Sequence, residues 1–320
     1  MTTYGWKLMS ELHGAGELVR QAVAAEETGL DYVAISDHYH PWLPEQDHSP
    51  FAWSVPGGVA NATDRIRLTT GLTCPIGRYH PAIVAQAAAT VATMCESRRF
   101  TLAVGAGERL NEHVTGEPFP AVDLRHDMLL EAIDIIRGLW GGEWTTRRGE
   151  HFDVEDARLF DLPDSPVELV VGVSGPASIE AAQRAGADGI MATDADPDLT
   201  AAWRDAGGDG SGTWSEVPFA WAVDDETGLR SAHKRFRFGA LGWKVMSELP
   251  NPVNFDAACA SIRPEDLADS VPHGPDPQPY VEAVQKFRDA GFEHLAIVPV
   301  GDPDKTMAFW RDEVQPALPS

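Results

Sequence analysis

A chain of 320 residues with 43% hydrophobic and 23% charged side chains can bury a full core, which excludes global disorder. Its 49 acidic against 25 basic residues give a formal charge of -24. Such a field repels polyanions and excludes a nucleic-acid binder held by phosphate contacts.

Strand-like and helix-like segments alternate along the sequence. Gly5–Met9 reads as a first strand and Glu17 to Thr28 as its helix, stopped by Gly29. Tyr32–Ser36 is the second strand and Arg65–Thr73 the third, followed by an Ala-rich helix over Pro81–Cys95 that opens on proline. Phe100–Val104 is the fourth strand. Leu124–Trp140 is a periodic helix with Leu129, Ile133 and Ile136 on one face. Trp144–Asp153 reads as a hairpin outside the alternation. The later strands are Glu168–Val173, Asp188–Thr193, Glu216–Val223 and His294–Pro299. Helices are expected over Ser178–Ala185, Leu199–Ala206, Glu226 to about Phe238, and Pro279–Ala290. Residues 239–277 read as an irregular insertion rich in Pro and Asp. Eight such units predict an α/β fold, a single (β/α)8 TIM barrel over residues 1–320 with insertions near 141–165 and 239–277. A doubly wound open sheet is the second choice. Gly5–Leu12 recurs almost unchanged as Gly242–Leu249 with no repeat around it, so no duplication is read from it.

Arginine supplies most of the positive charge, with only five lysines, and the acidic residues are scattered. This reads as a solvated surface of the kind an acidic proteome in a high-salt cytoplasm carries. Cys74, Cys95 and Cys259 are odd in number and lack C-x-x-C spacing, so neither a disulfide framework nor a thiolate zinc site is expected. No signal-peptide core and no run of about 18 uncharged apolar residues is found, so no membrane partner is expected and the location is read as cytoplasmic.

In a barrel the active site lies at the C-terminal ends of the strands. The second strand ends in Asp37-His38-Tyr39-His40-Pro41-Trp42, and the third in Gly71-Leu72-Thr73-Cys74-Pro75. Gly107-Glu108-Arg109-Leu110-Asn111-Glu112-His113 follows the fourth, and Ser174-Gly175-Pro176-Ala177-Ser178 the fifth. A carboxylate, an imidazole and an indole converging on one mouth suit proton transfer beside a planar ring. Blander roles stand beside these. Asp37 could cap the following turn, Glu108 could satisfy helix N–H groups, and Ser174–Ser178 could be a plain strand-to-helix turn or a phosphate cradle. His38, His40, His48 and His113 form no clean ligand pair on one face, so no metal is expected.

Together, Ser36–Trp42, Arg78–Ala82 and Gly105–Gly116 resemble the luciferase-like flavin/deazaflavin superfamily, most closely its coenzyme F420-dependent glucose-6-phosphate dehydrogenase group. A flavin-using branch is also similar, at Phe51–Ser54 and Phe255–Ala258. The resemblance implies a (β/α)8 homodimer with the cofactor ring across the barrel mouth. It implies His38 as the group exchanging a proton with the substrate hydroxyl and Glu108 as its counterpart near the deazaflavin N1. It also puts Trp42 by the reacting centre, Asp37 beside the ring, and a cis peptide at Gly71-Leu72 against it. Cys74, Ala106, Gly107 and Asn111 match cofactor contacts, as do Ser174, Gly175, Ala177 and Ser178 near the cofactor tail.

After the sixth strand the sugar-phosphate enzymes carry a threonine and, three residues on, a lysine. Here Thr193 is kept but Asp196 replaces the lysine, and Met246 and Ser270 do not match the family's later phosphate-binding cations, although Lys244 lies close. Like charge would repel a phosphate. The expected function is therefore an F420-dependent oxidoreductase moving a hydride between the deazaflavin and a small alcohol, sugar or carbonyl compound other than glucose 6-phosphate. The alternatives are an FMN-dependent luciferase-like reductase or monooxygenase and a non-catalytic cofactor-binding barrel.

Overall fold

The computed structural model describes residues 2–96 and 99–319. The strands are β1 (Thr3–Leu8), β2 (Tyr32–Ile35), β3 (Arg67–Thr70), β4 (Phe100–Val104), β5 (Thr145–Arg148), β6 (Asp153–Ala157), β7 (Glu168–Gly172), β8 (Gly189–Met191), β9 (Thr213–Trp221), β10 (His273–Gly274) and β11 (His294–Pro299). Eight of them pair in parallel around a closed cycle, β1-β2-β3-β4-β7-β8-β9-β11 and back to β1. Their residues are buried on both faces, which is why the runs are continuously apolar and not alternating. The architecture is the expected (β/α)8 barrel. β5 and β6 form the expected antiparallel hairpin outside the cycle, and β10 adds two residues beside β9.

The helices are α1 (Ala15–Thr28), α2 (Ser54–Ala62), α3 (Pro81–Met94), α4 (Arg109–Glu112), α5 (Val122–Trp140), α6 (Pro176–Arg184), α7 (Pro197–Asp205), α8 (Asp225–Phe236), α9 (Trp243–Met246), α10 (Pro252–Ala258), α11 (Gln278–Asp289) and α12 (Pro303–Phe309). α1 ends where Gly29 turns left-handed (φ 89) and its N–H bonds back to Ala25 and Glu26. α5 buries Leu129, Ile133 and Ile136 as its periodicity predicts.

Three expectations are corrected. Residues 239–277 are not irregular: they hold a 3-10 turn at Arg237–Leu241, α9, α10, a second such turn at Pro264–Leu267, and β10. Pro252 and Pro264 sit at helix starts, where a missing N–H costs nothing, and the same prolines read in sequence as breakers. α2 was not foreseen, because Pro56, Gly57 and Gly58 give it poor propensity; burial of Val55, Val59 and Ala60 overrides that. The seventh barrel strand begins at Thr213 and not Glu216, since Thr213 and Trp214 pair with Ile190 and Met191 of β8.

The repeated octapeptide takes two structures. Gly5–Leu8 is buried strand in β1, while Gly242–Leu249 carries the exposed helix α9. Ladders with β2 and β11 hold the first copy extended, and no strand flanks the second. Tertiary pairing, not local preference, decides.

Candidate active site

The ends of β1, β2 and β4 meet at the C-terminal mouth of the barrel. Ser10 Oγ donates to the Ser36 carbonyl at 2.9 Å, tying the chain after β1 to the chain after β2. That contact brings Glu11 next to His38. His38 Nε2 lies 3.5 Å from Glu11 Oε1 and 3.7 Å from Glu108 Oε1, so two carboxylates face one imidazole. On the other ring edge Nδ1 lies 3.0 Å from the His40 carbonyl and 3.1 Å from Asn111 Nδ2. The Asn111 amide is oriented by its oxygen, which accepts the Tyr39 and His40 N–H groups, so its nitrogen donates to Glu108 Oε1 at 2.7 Å. Glu108 stands at the N-cap of α4 but makes no side-chain cap bond; its carboxylate is free for Asn111 and His38.

Trp42 covers this cluster. Its Nε1 donates to Glu11 Oε1 at 3.2 Å and its ring meets His38 edge-on, 4.7 Å between centroids. Phe238 stacks on its other side at 4.9 Å and Phe255 packs against it at 5.1 Å, so residues after α8 hold the indole in place. Glu11 is 3% exposed and its Oε2 has no hydrogen-bond partner. A buried carboxylate oxygen left bare is costly and marks a place for a donor.

Asp37 points the other way, into a buried anchor. Thr73 Oγ1 donates to Oδ2 at 2.7 Å, and Arg78 Nη2 and Tyr79 OH donate to Oδ1 at 2.8 and 3.1 Å. With three donors filling it, Asp37 organises the loop after β3 and does not reach the imidazole of His38 in this arrangement. The Cys74 thiol is buried between that loop and Gly107, where burial, and then the Glu112 carboxylate, pushes its pKa up. It remains a thiol and packs as a small apolar group.

The other expected residues line the same end of the barrel. The Gly71-Leu72 peptide is cis, as the resemblance implies; Lys7 Nζ donates to the Gly71 carbonyl at 2.7 Å and pairs with Glu216 at 2.7 Å. Ala106 and Gly107 are half-buried at the end of β4. Ser178 Oγ accepts the N–H groups of Ser174 and Gly175 and donates to the Gly175 carbonyl, so that turn is locked from within, with Ser174 and Ala177 exposed at the start of α6. Thr193 is exposed, and Asp196 caps α7 by accepting the Asp198 N–H at 2.9 Å. The bland role of Asp196 is thus filled, and the structure brings neither residue into contact with His38.

A cleft of about 660 Å³ opens at the opposite end of the barrel, beside Arg67, Trp214 and His294. Arg67 Nη2 pairs there with Glu168 at 2.7 Å, and His294, stacked on Trp214 at 3.9 Å, has its Nε2 2.8 Å from the Ser211 carbonyl. At the mouth, by contrast, Glu11 Oε2 is left without a partner beside the His38 imidazole. Among the described residues, no group of three His, Cys, Asp or Glu side chains is arranged to hold a metal ion.

Glu11 is the residue the sequence reading missed. The rule that searched the ends of strands two to five reaches it when applied to strand one, in Met9-Ser10-Glu11. Arg78 and Tyr79 belong to the Arg78–Ala82 segment, whose sequence alone suggests no role for either in holding Asp37.

The arrangement has relatives. The chain is 39% identical to the F420-dependent hydroxymycolic acid dehydrogenase of Mycobacterium tuberculosis, over 98% of this chain and 88% of that protein. It is 34% identical to the F420-dependent glucose-6-phosphate dehydrogenase of Nakamurella multipartita, over 98% and 96%. Among solved structures it superposes on an F420-dependent secondary alcohol dehydrogenase in complex with an F420-acetone adduct, with a TM-score of 0.88, 28% identity and coverage of 100% and 99%. The family model for luciferase-like monooxygenases matches residues 2–307, and the chain belongs to that family.

Proposed function

We propose that this chain is an F420-dependent dehydrogenase that interconverts a neutral secondary alcohol and its carbonyl compound, with His38 holding the hydroxyl proton. The observation that carries the reading is the pair of carboxylates, Glu11 and Glu108, facing one imidazole nitrogen beneath Trp42. The residues fit the deazaflavin: half-buried Gly71, Ala106 and Gly107 leave backbone open to a flat ring, and the bare Glu11 Oε2 awaits a donor. When bound, F420 supplies the hydride chemistry. Ser174, Gly175, Ala177 and Ser178 at the start of α6 would meet its tail, and Cys74 and Asn111 its ring.

The protein's own part is proton handling. The His40 carbonyl can only accept, so Nδ1 carries the proton toward it while the Asn111 amide hydrogen goes to Glu108 Oε1; Nε2 is then left with a lone pair that can accept the proton of a substrate hydroxyl. The imidazolium so formed sits between Glu11 and Glu108 in a water-poor site, where opposite charge stabilises it. Trp42, fixed by Phe238 and Phe255, shields the exchange from bulk water.

We infer that residues 1–320 act as one barrel domain, in a cytoplasmic homodimer. Ile83 and Met94 on α3, 57% and 46% exposed, give an apolar surface that a second copy would cover. No helix among the described residues is long and apolar enough to cross a membrane. Against a sugar phosphate stand Asp194, Asp196 and Asp198 after β8, beside exposed Thr193. The test is kcat/KM for glucose 6-phosphate against neutral secondary alcohols, at several salt concentrations. Preference for the neutral compounds is expected. Preference for the sugar phosphate at every salt would mean that exposed Lys244 or Arg109 binds it, and would overturn the reading.

A further inference from the structure

Behind the wall that carries Ala106 and Gly107 lies a carboxyl group that the chemistry above does not use. Glu112, on α4, is 5% exposed. Its Oε2 accepts the backbone N–H of Arg78 at 2.8 Å. The same side chain fills the space beside two glycines. A Cβ at Gly77 would stand 2.8 Å from Oε2, and one at Gly107, where φ is 76, would stand 2.8 Å from Cγ. Glu112 therefore joins the loop of residues 77–79, whose side chains hold Asp37, to the turn that ends in Glu108.

The charged and titratable groups facing it come from three elements. Arg78, Tyr79 and Cys74 belong to the loop after β3, Glu108 to the turn after β4, and Asp37 to the end of β2. Arg78 is the one cation in that set, and its guanidinium is committed to Asp37 at 2.8 Å. Glu112 itself accepts the Arg78 backbone N–H. Burial, and after it the Glu108 and Asp37 carboxylates, push its pKa up to about 7, against the pull of Arg78.

We propose that Glu112 is a positioning residue for the cofactor ring, holding the Arg78 loop against the Gly107 turn and taking up a solvent proton when negative charge arrives at that site. The inference rests on the ring lying against Gly107, as in the function proposed above. An anion on one side of the glycine and a carboxylate on the other repel through a low-dielectric wall made of the Gly107 backbone and the neighbouring Cys74 thiol. Protonating Glu112 removes that repulsion and makes ring affinity depend on pH.

Glu112→Gln tests this, because it keeps an acceptor for the Arg78 N–H and removes the charge. Affinity for reduced F420, the anionic probe, is measured by fluorescence at about pH 6, 7 and 8, with calorimetry in two buffers of different ionisation heat. Wild type is expected to lose affinity relative to the variant, by up to about fivefold between pH 7 and 8, and to take up part of a proton on binding; the variant takes up less. Glu112→Asp, which restores a titrating group, should restore a pH dependence. A wild-type to variant affinity ratio that is constant with pH, in folded protein, overturns the role of Glu112. Failure of the reading beneath it looks different: ring affinity unchanged by Gly107→Ala and Asn111→Ala would place the ring elsewhere.

Discussion

Replacing Glu11 by glutamine removes one of the two charges facing the His38 Nε2 while keeping an oxygen for Trp42. The imidazole and carboxylate are 3.5 Å apart, with side chains 8% and 3% exposed, so salt and water screen them weakly. At an effective dielectric of about 20, a full charge pair at that distance is worth about 5 kcal/mol, an upper bound because charge is only partly developed in the transition state. Glu108, at 3.7 Å, remains. A loss of about 3 kcal/mol follows, or roughly 10²-fold in kcat, with KM for the alcohol changed far less because the imidazolium is absent from the ground state. The assay is steady-state loss of the deazaflavin visible band at saturating alcohol, with circular dichroism to confirm the fold. Wild-type kcat in Glu11→Gln would refute the claim that this carboxylate stabilises the protonated imidazole.

Two further predictions concern the same neighbourhood. His38→Ala should lower kcat by roughly 10²–10⁴ and leave F420 affinity nearly unchanged in a fluorescence titration; unimpaired turnover would remove His38 from the reaction. Glu112 is an acid raised on folding from 4.5 to about 7, so the folded chain keeps a proton that the unfolded chain has lost. Its contribution is fully present below about pH 4.5 and is lost as pH rises to about 7, by about 3 kcal/mol. Urea unfolding of wild type and Glu112→Gln across that range should show the variant gaining relative stability as pH rises; parallel curves would refute the assignment.

The barrel was legible because strands buried on both faces read as short apolar runs, and helices such as α5 carry a clear stripe. The residues after β9 were less so. Phe238 and Phe255 are buried in one cluster with Trp42, Leu43 and Leu110, more than 100 residues earlier, with Leu249 packed against it, and no local period announces that. The octapeptide that is strand at residues 5–8 and helix at 243–246 shows the same limit from the other side. At the site, strand ends located His38, Glu108 and Trp42 by topology alone. What topology could not give was direction: Asp37 and His38 are adjacent in sequence, and they leave the end of β2 on opposite errands, one into the Thr73–Arg78–Tyr79 anchor and one toward Glu11 and Glu108.

The claim that matters most is hydride exchange between F420 and a carbinol carbon at this mouth. It is tested by mixing the protein with oxidised F420 and a neutral secondary alcohol deuterated at that carbon, and following the deazaflavin band through one turnover. Bleaching is expected, with a primary isotope effect on its rate and deuterium recovered on the reduced cofactor by mass spectrometry. No bleaching with F420 across the alcohols, with reduction of FMN in its place, would contradict it.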